Sequence, residues 1–190
     1  INIGPVAGGM RDLFSTYLPP FEAAVKEAGA LSVMPAYSEY DGVPATASKL
    51  LLTDILRKEW NFSGYTFCDY GAIEMLRTTH KTAATSIEAS IQAVTAGMDL
   101  GTPDIDIFDY GKFLHQALRK GQMTEDLIDR AVSRILRVKF LVGLFENPFT
   151  KEKTTIKIIN CPAHKKLARQ IAQESIVLLK NEKNLLPLKY

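Results

Sequence analysis

The chain has 190 residues, of which 46% are hydrophobic and 23% charged, a composition typical of a soluble globular protein. Lys and Arg number 23 and Asp and Glu 21, so the net charge is only +2. That small surplus argues against a nucleic-acid partner, which usually binds a clearly basic domain. No apolar run approaches the roughly 18 residues that indicate a membrane span.

The first predicted elements are a helix and a buried strand. Pro19 suits the first turn of a helix and Gly29 suits its end. The apolar run 30–34 that follows is typical of a buried strand. Next comes Asp41-Gly42, a dipeptide that favours a tight turn.

Strands and helices continue to alternate in the middle of the chain. Ser48 is a suitable N-cap for a helix with an apolar stripe. The β-branched and aromatic run 65–68 predicts a second strand, and Gly71 allows a sharp turn into the next helix. Residues 85–96 predict a further helix, and 97–100 a third short strand.

The last third of the chain is mostly helical in pattern. Residues 108–120 predict one helix, and Thr124 is expected to cap a long one that follows. The Lys- and Thr-rich stretch 150–161 resembles a linker. Pro162 opens a last helix, and the apolar run 176–180 predicts a last strand.

Strands separated by helices of this length predict an α/β fold with a parallel sheet. Three strands within the first hundred residues are consistent with part of a (β/α)₈ barrel or with a small doubly wound sheet. A complete barrel needs about 250 residues, so this chain would hold only one half. Ile1, which is not an initiator Met, and the terminal apolar stretch 185–190 look like cut ends, and we expect a piece of a longer protein.

Polar side chains follow each of the three predicted strands. Tyr37 and Glu39 follow the first, Asp69 the second and Asp99 the third. Active sites of parallel α/β folds lie at this edge of the sheet, so these four residues are the first candidates. Asp69 has two equally supported interpretations: a nucleophilic carboxylate on a rigid strand end, or an N-cap for the helix that begins near Ala72.

The remaining candidates favour structural roles. Asp99 is expected to hydrogen-bond its own loop, residues 101–104. The three histidines lack metal-ligand spacing, so no metal site is predicted. Cys68 and Cys161 are too few for a disulfide framework and are expected to be free thiols.

Several blocks of sequence, in their order along the chain, resemble glycoside hydrolase family 3, in its β-glucosidase and β-xylosidase branch. They cover nearly the whole chain, and together they are far more specific than any one alone. The blocks are Ser32-Val33-Met34-Pro35-Ala36-Tyr37, Asp41-Gly42-Val43-Pro44, Trp60-Asn61-Phe62-Ser63-Gly64, Cys68-Asp69-Tyr70-Gly71, Ala96-Gly97-Met98-Asp99-Leu100, Arg134-Ile135-Leu136-Arg137-Val138 and Leu178-Leu179-Lys180-Asn181.

The resemblance implies roles for individual residues. Asp69 falls on the family's catalytic nucleophile, with Cys68 in place of the usual serine. Tyr37, Tyr70 and Met34 fall on positions that line the sugar pocket, and we expect them to bind substrate. The resemblance also implies three parts: residues 1–149 as the C-terminal half of a catalytic TIM-type barrel, 150–161 as a linker, and 162–190 as the start of an α/β sandwich domain.

The implied activity is retaining, exo-acting hydrolysis of β-glycosides, with release of glucose or xylose from the non-reducing end and without a cofactor. The acid/base glutamate would come from a later domain, so we expect this chain alone to be inactive. The expected partners are a β-linked oligosaccharide or an aryl or alkyl glycoside, and the remaining domains of the same polypeptide. A periplasmic or secreted location is expected from the resemblance. A non-catalytic or truncated carbohydrate-binding relative is the alternative.

Overall fold

A computed structural model describes residues 3–102 and 109–188 of the chain. The chain divides into two compact units, Ile1–Glu146 and Asn147–Tyr190. The first unit carries every strand and every buried side chain of the described residues. It is therefore the unit that positions the candidate site.

The strands of the first unit are short and parallel where the sequence predicts a parallel sheet. β1 (Ser32–Val33) pairs in parallel with β4 (Tyr65–Thr66). Phe67 then forms a parallel bridge with Leu100, so the third predicted strand is reduced to a single bridge. The chain order of the three segments is that of strands joined by helical crossovers, which confirms a mixed α/β fold.

A β-hairpin follows β1. β2 (Glu39–Tyr40) pairs antiparallel with β3 (Val43–Pro44). The turn residues Asp41 and Gly42 have φ of 51° and 75°, the left-handed conformations that two-residue hairpins require. The predicted turn is confirmed. Because Val6 N–H also donates to the Glu39 carbonyl at 2.8 Å, β2 is held on both sides.

Helices account for most of the remaining chain. Ser48 Oγ accepts from Leu51 N at 3.3 Å and Thr85 Oγ1 accepts from Glu88 N at 3.2 Å, so both predicted helix starts are confirmed. The α-helices are α1 (Met10–Asp12), α2 (Pro19–Lys26), α3 (Ala72–Thr78), α4 (Ser86–Ala96), α5 (Tyr110–Arg119), α6 (Asp126–Leu141), α7 (Glu152–Ile158) and α8 (Pro162–Ser175); Leu13–Tyr17 and Leu50–Glu59 are π-helical, and Ala45–Ala47 and Glu182–Asn184 are 3₁₀ turns.

The core of the first unit consists of two apolar clusters. The larger joins α3, α4 and α5 and includes Leu76, Val94 and Met98, which are fully buried. The other surrounds Trp60, which packs with residues of the two π-helices. Within the described ranges, every helix is too short or too polar to cross a membrane.

Two local predictions are wrong. Residues 176–180 are not a strand: Val177 is 74% and Leu179 92% exposed, and no described segment pairs with them, so their backbone lacks the partner that a strand requires. Thr124 does not cap α6, because that helix begins later, with Glu125 at its N-cap and no side-chain cap bond. The predicted linker 150–161 itself includes a helix, α7.

Candidate active site at the end of the central strand

Asp69 lies directly beyond β4 and its bridge to Leu100, at the carboxyl end of the strand. Its side chain is half-buried, and Oδ1 accepts from the Tyr70 N–H at 2.7 Å. Among the described residues, no hydrogen bond engages Oδ2. The carboxylate is thus held by one oxygen and open at the other.

The helix-cap interpretation of Asp69 is wrong. The N-cap of α3 is Gly71, with φ of 71° and no side-chain cap bond. Only the backbone carbonyl of Asp69 takes part in the turn, accepting from Ala72 N at 3.1 Å. Because the left-handed glycine makes the turn, the Asp69 carboxylate is left for other contacts.

The structure joins Tyr37 to the Asp69 loop. Tyr37 Oη donates to the Tyr70 carbonyl at 2.7 Å, so the loop after β1 is tied to the loop after β4. Tyr70 has 61% of its surface exposed, which leaves its ring accessible to a ligand. The predicted nucleophile Asp69 and two of the three predicted sugar-binding residues, Tyr37 and Tyr70, therefore form one connected group.

Met34 stands apart from this group in its contacts. It is 43% exposed and lines an apolar cavity of about 210 Å³ together with Tyr17, Phe21 and Trp60. Asp69 is not part of the described lining of that cavity. A role for Met34 in binding sugar stays a prediction.

Two further residues support the group: Glu39, already a strand-end candidate from the sequence, and His80, which sequence reasoning did not assign to the site. The His80 ring has Nε2 3.0 Å from the Tyr37 carbonyl and Nδ1 3.2 Å from Glu39 Oε2. The His80 side chain is only 5% exposed. The two residues are 41 positions apart, and neither helical nor strand periodicity relates them. No group of His, Cys, Asp and Glu within the described ranges is arranged to hold a metal ion.

Asp99 occupies the same kind of strand-end position but has a different environment. Its side chain is 1% exposed and forms salt bridges with Arg57 at 2.7 Å and Arg134 at 2.9 Å. Its Oδ2 also accepts from Thr66 N at 2.9 Å. Burial lowers the pKa of Arg57 to about 10, an effect partly offset by Asp99, so the arginine stays charged at neutral pH. The predicted role in bonding loop 101–104 is replaced by this buried ion-pair cluster, although 103–104 lie outside the described residues.

Comparisons with known proteins identify the family to which the chain belongs. Residues 1–138 match the model of the glycosyl hydrolase family 3 N-terminal domain. The chain therefore belongs to glycosyl hydrolase family 3.

Individual proteins are similar to this chain over nearly its whole length. A β-xylosidase of Formosa agariphila is 39% identical, with 94% of this chain and 25% of the relative covered. A periplasmic β-glucosidase of Salmonella typhimurium is 40% identical, with 93% and 23% covered. The crystal structure of a Listeria innocua β-glucosidase in complex with glucose has a TM-score of 0.81 at 38% identity, with 97% and 25% covered. The chain thus spans about a quarter of the length of the relatives that it matches.

Proposed function

We propose that the protein containing this chain is a retaining, exo-acting β-glycoside hydrolase that releases glucose or xylose from non-reducing ends, with Asp69 as its nucleophile. The observation that carries the proposal is the Asp69 carboxylate at a strand end, with Oδ1 held by the Tyr70 N–H at 2.7 Å and no residue of the described ranges hydrogen-bonded to Oδ2. Relatives named as β-glucosidase and β-xylosidase support the substrate class.

The chemistry follows from the carboxylate. Retaining glycosidases use two carboxyl groups about 5–5.5 Å apart, one as nucleophile and one as general acid and base. Asp69 Oδ2 attacks the anomeric carbon while the acid protonates the departing oxygen, and a covalent glycosyl-enzyme forms. The same acid group then removes a proton from water, which displaces Asp69 from the sugar.

We assign the acid/base group to a part of the protein outside this chain. The candidate carboxylates at the strand ends are already engaged: Asp99 pairs with two arginines and Glu39 with His80. Tyr37, Tyr70 and Met34 are proposed to contact the sugar in the subsite next to Asp69. The exposed ring of Tyr70 offers the apolar face on which a sugar can stack.

The proposal extends to the architecture of the protein. Residues 1–149 form the C-terminal half of a TIM-type barrel, 150–161 a linker and 162–190 the start of an α/β sandwich domain. The parallel register of β1 and β4 and the Phe67–Leu100 bridge support the barrel half. We also propose a periplasmic or secreted location, supported by the periplasmic relative.

Mechanism-based trapping tests the function. The longest natural form of the protein is incubated with an activated 2-deoxy-2-fluoro-β-glucoside or the corresponding xyloside, and the labelled peptide is mapped by mass spectrometry. Label on the peptide with Asp69 is expected, and the faster reagent identifies the preferred sugar. Asp69→Asn, which keeps the shape but not the nucleophile, should remain unlabelled. The control Asp54→Asn, at a carboxylate that pairs with Lys49 and Lys58, should be labelled like wild type.

The other outcomes are equally informative. Label on a different carboxylate would overturn the assignment of Asp69. A folded protein with neither label nor turnover would favour the alternative, a non-catalytic carbohydrate-binding relative.

A further inference from the structure

We infer that His80 and Glu39 are a positioning pair that orients the Asp69 carboxylate through Tyr37 and Tyr70. This inference rests on the proposed function, since it assigns an orienting role around the proposed nucleophile. The two residues belong to different elements: Glu39 lies on β2, and His80 follows the end of α3. Their contact joins the loop after β1 to the segment after α3.

His80 holds the backbone of Tyr37 through its ring nitrogen Nε2. This nitrogen lies 3.0 Å from the backbone carbonyl of Tyr37, and a carbonyl oxygen can only accept a hydrogen bond. Nε2 therefore carries a hydrogen and donates it. The donor is a ring that is 95% buried, its side chain being 5% exposed, so water competes little for this bond.

Glu39 holds the other ring nitrogen of His80, since His80 Nδ1 lies 3.2 Å from Glu39 Oε2. Two lone pairs at that distance would repel, so a proton lies between the two atoms. A His80 cation facing a Glu39 carboxylate and a neutral His80 facing a protonated Glu39 both satisfy this requirement. In either state the hydrogen bond to Glu39 fixes the plane of the ring and hence the direction of the Nε2–H bond, as the carboxyl partners behind functional histidines do.

Tyr37 is connected to the proposed nucleophile through Tyr70. His80 holds the main chain of Tyr37, while the Tyr37 hydroxyl donates to the Tyr70 carbonyl at 2.7 Å. The N–H of the same Tyr70 donates to Asp69 Oδ1 at 2.7 Å. Both backbone polar groups of Tyr70 are thus hydrogen-bonded, and one carboxylate oxygen of Asp69 is held with them.

These contacts determine which carboxylate oxygen of Asp69 faces the substrate. With Oδ1 held by the Tyr70 N–H, Oδ2 is the oxygen presented to the substrate. When the His80 contact is removed, the Tyr37 main chain loses one of its restraints, and the Tyr70 peptide that Tyr37 contacts is held less firmly. Misplacement of a reacting group by about 1 Å costs up to about 100-fold in rate, so the pair is expected to act on the glycosylation step rather than on affinity.

The test measures the rate at which the 2-deoxy-2-fluoro-glycoside labels Asp69 in the longest natural form of the protein. We expect His80→Ala and Glu39→Ala to slow labelling by about 10- to 100-fold, with little change in the concentration that half-saturates it. Glu39→Gln should recover most of the rate, because its amide N–H can donate to Nδ1 of a neutral His80. Glu22→Ala, in an exposed pair with Lys26, is the control and should label at the wild-type rate.

A double-mutant comparison separates positioning from general loss of stability. If the pair acts through Tyr37, adding His80→Ala to Tyr37→Phe slows labelling by much less than His80→Ala does in wild type. Effects that multiply independently would overturn the inference. So would His80→Ala and Glu39→Ala proteins that label at the wild-type rate.

Amide hydrogen exchange gives a second readout that does not depend on catalysis. We expect the peptide containing residues 69–71 to exchange faster in His80→Ala and Glu39→Ala than in wild type, with Glu39→Gln in between. An unlabelled wild type with this exchange pattern would defeat the proposed nucleophile and leave the positioning intact. Unchanged exchange in both alanine variants would defeat the positioning itself.

Discussion

Two aspartates in equivalent strand-end positions have opposite chemical environments. Asp69 has one hydrogen-bonded oxygen and remains half-buried, which suits a group that must meet a substrate. Asp99 is enclosed by Arg57, Arg134 and Thr66, which suits a group that holds elements together. A strand-end position alone therefore does not distinguish a reactive carboxylate from a structural one.

The role of Asp99 leads to a prediction about stability. Asp99→Asn keeps the size of the side chain but leaves the cations of Arg57 and Arg134 without their carboxylate. Removal of one partner from a buried ion pair typically costs about 3–5 kcal/mol, and we expect a loss of that order in the free energy of unfolding. Denaturant unfolding of the longest natural form measures it.

The matched control for Asp99 is Asp54, whose carboxylate pairs with Lys49 and Lys58 at the surface. These lysines lower the pKa of Asp54, but exposed pairs contribute at most about 1 kcal/mol. Asp54→Asn should therefore have a small effect. Equal effects of the two substitutions would show that the Asp99 cluster does not stabilise the fold.

At the residue scale, the sequence located the group but not its connections. The apolar run before Asp69 and the glycine after it are local signals, and they placed this carboxylate at a strand end. Position after the first predicted strand gave Tyr37, and resemblance to the family added Tyr70. The contacts of His80 and of Asp99 join residues more than 30 positions apart, and only folding in three dimensions brings them together.

At the scale of elements, the turn and two of the helix starts were predictable because their signals are local, whereas Thr124 carries a similar signal and does not cap α6. Ser48, Thr85 and Asp41-Gly42 each satisfy or shape nearby backbone. Strand extent was not predictable: the run 30–34 contributes only β1 (Ser32–Val33), and 176–180 forms no strand. A strand exists only where a second segment pairs with it, and that segment is distant in the sequence.

The pairing of β1 with β4 has a test at Gly64. A Cβ at this position would overlap the backbone carbonyl of Leu31, which accepts from Tyr65 N at 3.2 Å beside the β1–β4 pair. Gly64→Ala must therefore displace backbone, and overpacking of this kind typically costs about 1–3 kcal/mol. We expect a loss of that size in the free energy of unfolding, measured with urea.

Gly9 provides the control for Gly64. It has an ordinary extended conformation, and a Cβ there would meet nothing within 4 Å. Gly9→Ala should change the free energy of unfolding by less than about 0.5 kcal/mol. If Gly64→Ala were equally mild, the close approach of this segment to Leu31 would not constrain the strand pair.

At the scale of the whole molecule, the two units differ in what stabilises each. The described part of Ile1–Glu146 contains buried clusters around α4 and Trp60. In Asn147–Leu188, none of the residues is buried, and Leu167 and Ile171 of α8 are 56% and 58% exposed. Apolar side chains of a stable domain are largely removed from water, so the described part of this unit lacks the buried core that stabilises the first unit.

The last prediction concerns activity of the 190-residue chain by itself. Retaining hydrolysis needs a second carboxyl group beside the nucleophile, and the strand-end candidates Glu39 and Asp99 are engaged by His80 and by the two arginines. We therefore expect the purified chain to be folded by circular dichroism but to release no measurable aryl alcohol from aryl β-glucosides or β-xylosides. The longest natural form should turn over at about 1–10³ s⁻¹, the usual range for enzymes. Turnover in that range by the short chain, abolished by Asp69→Asn, would place the acid/base group within these 190 residues. Glu39 would then be the first carboxylate to examine, because its contact with His80 holds a proton near the Asp69 loop.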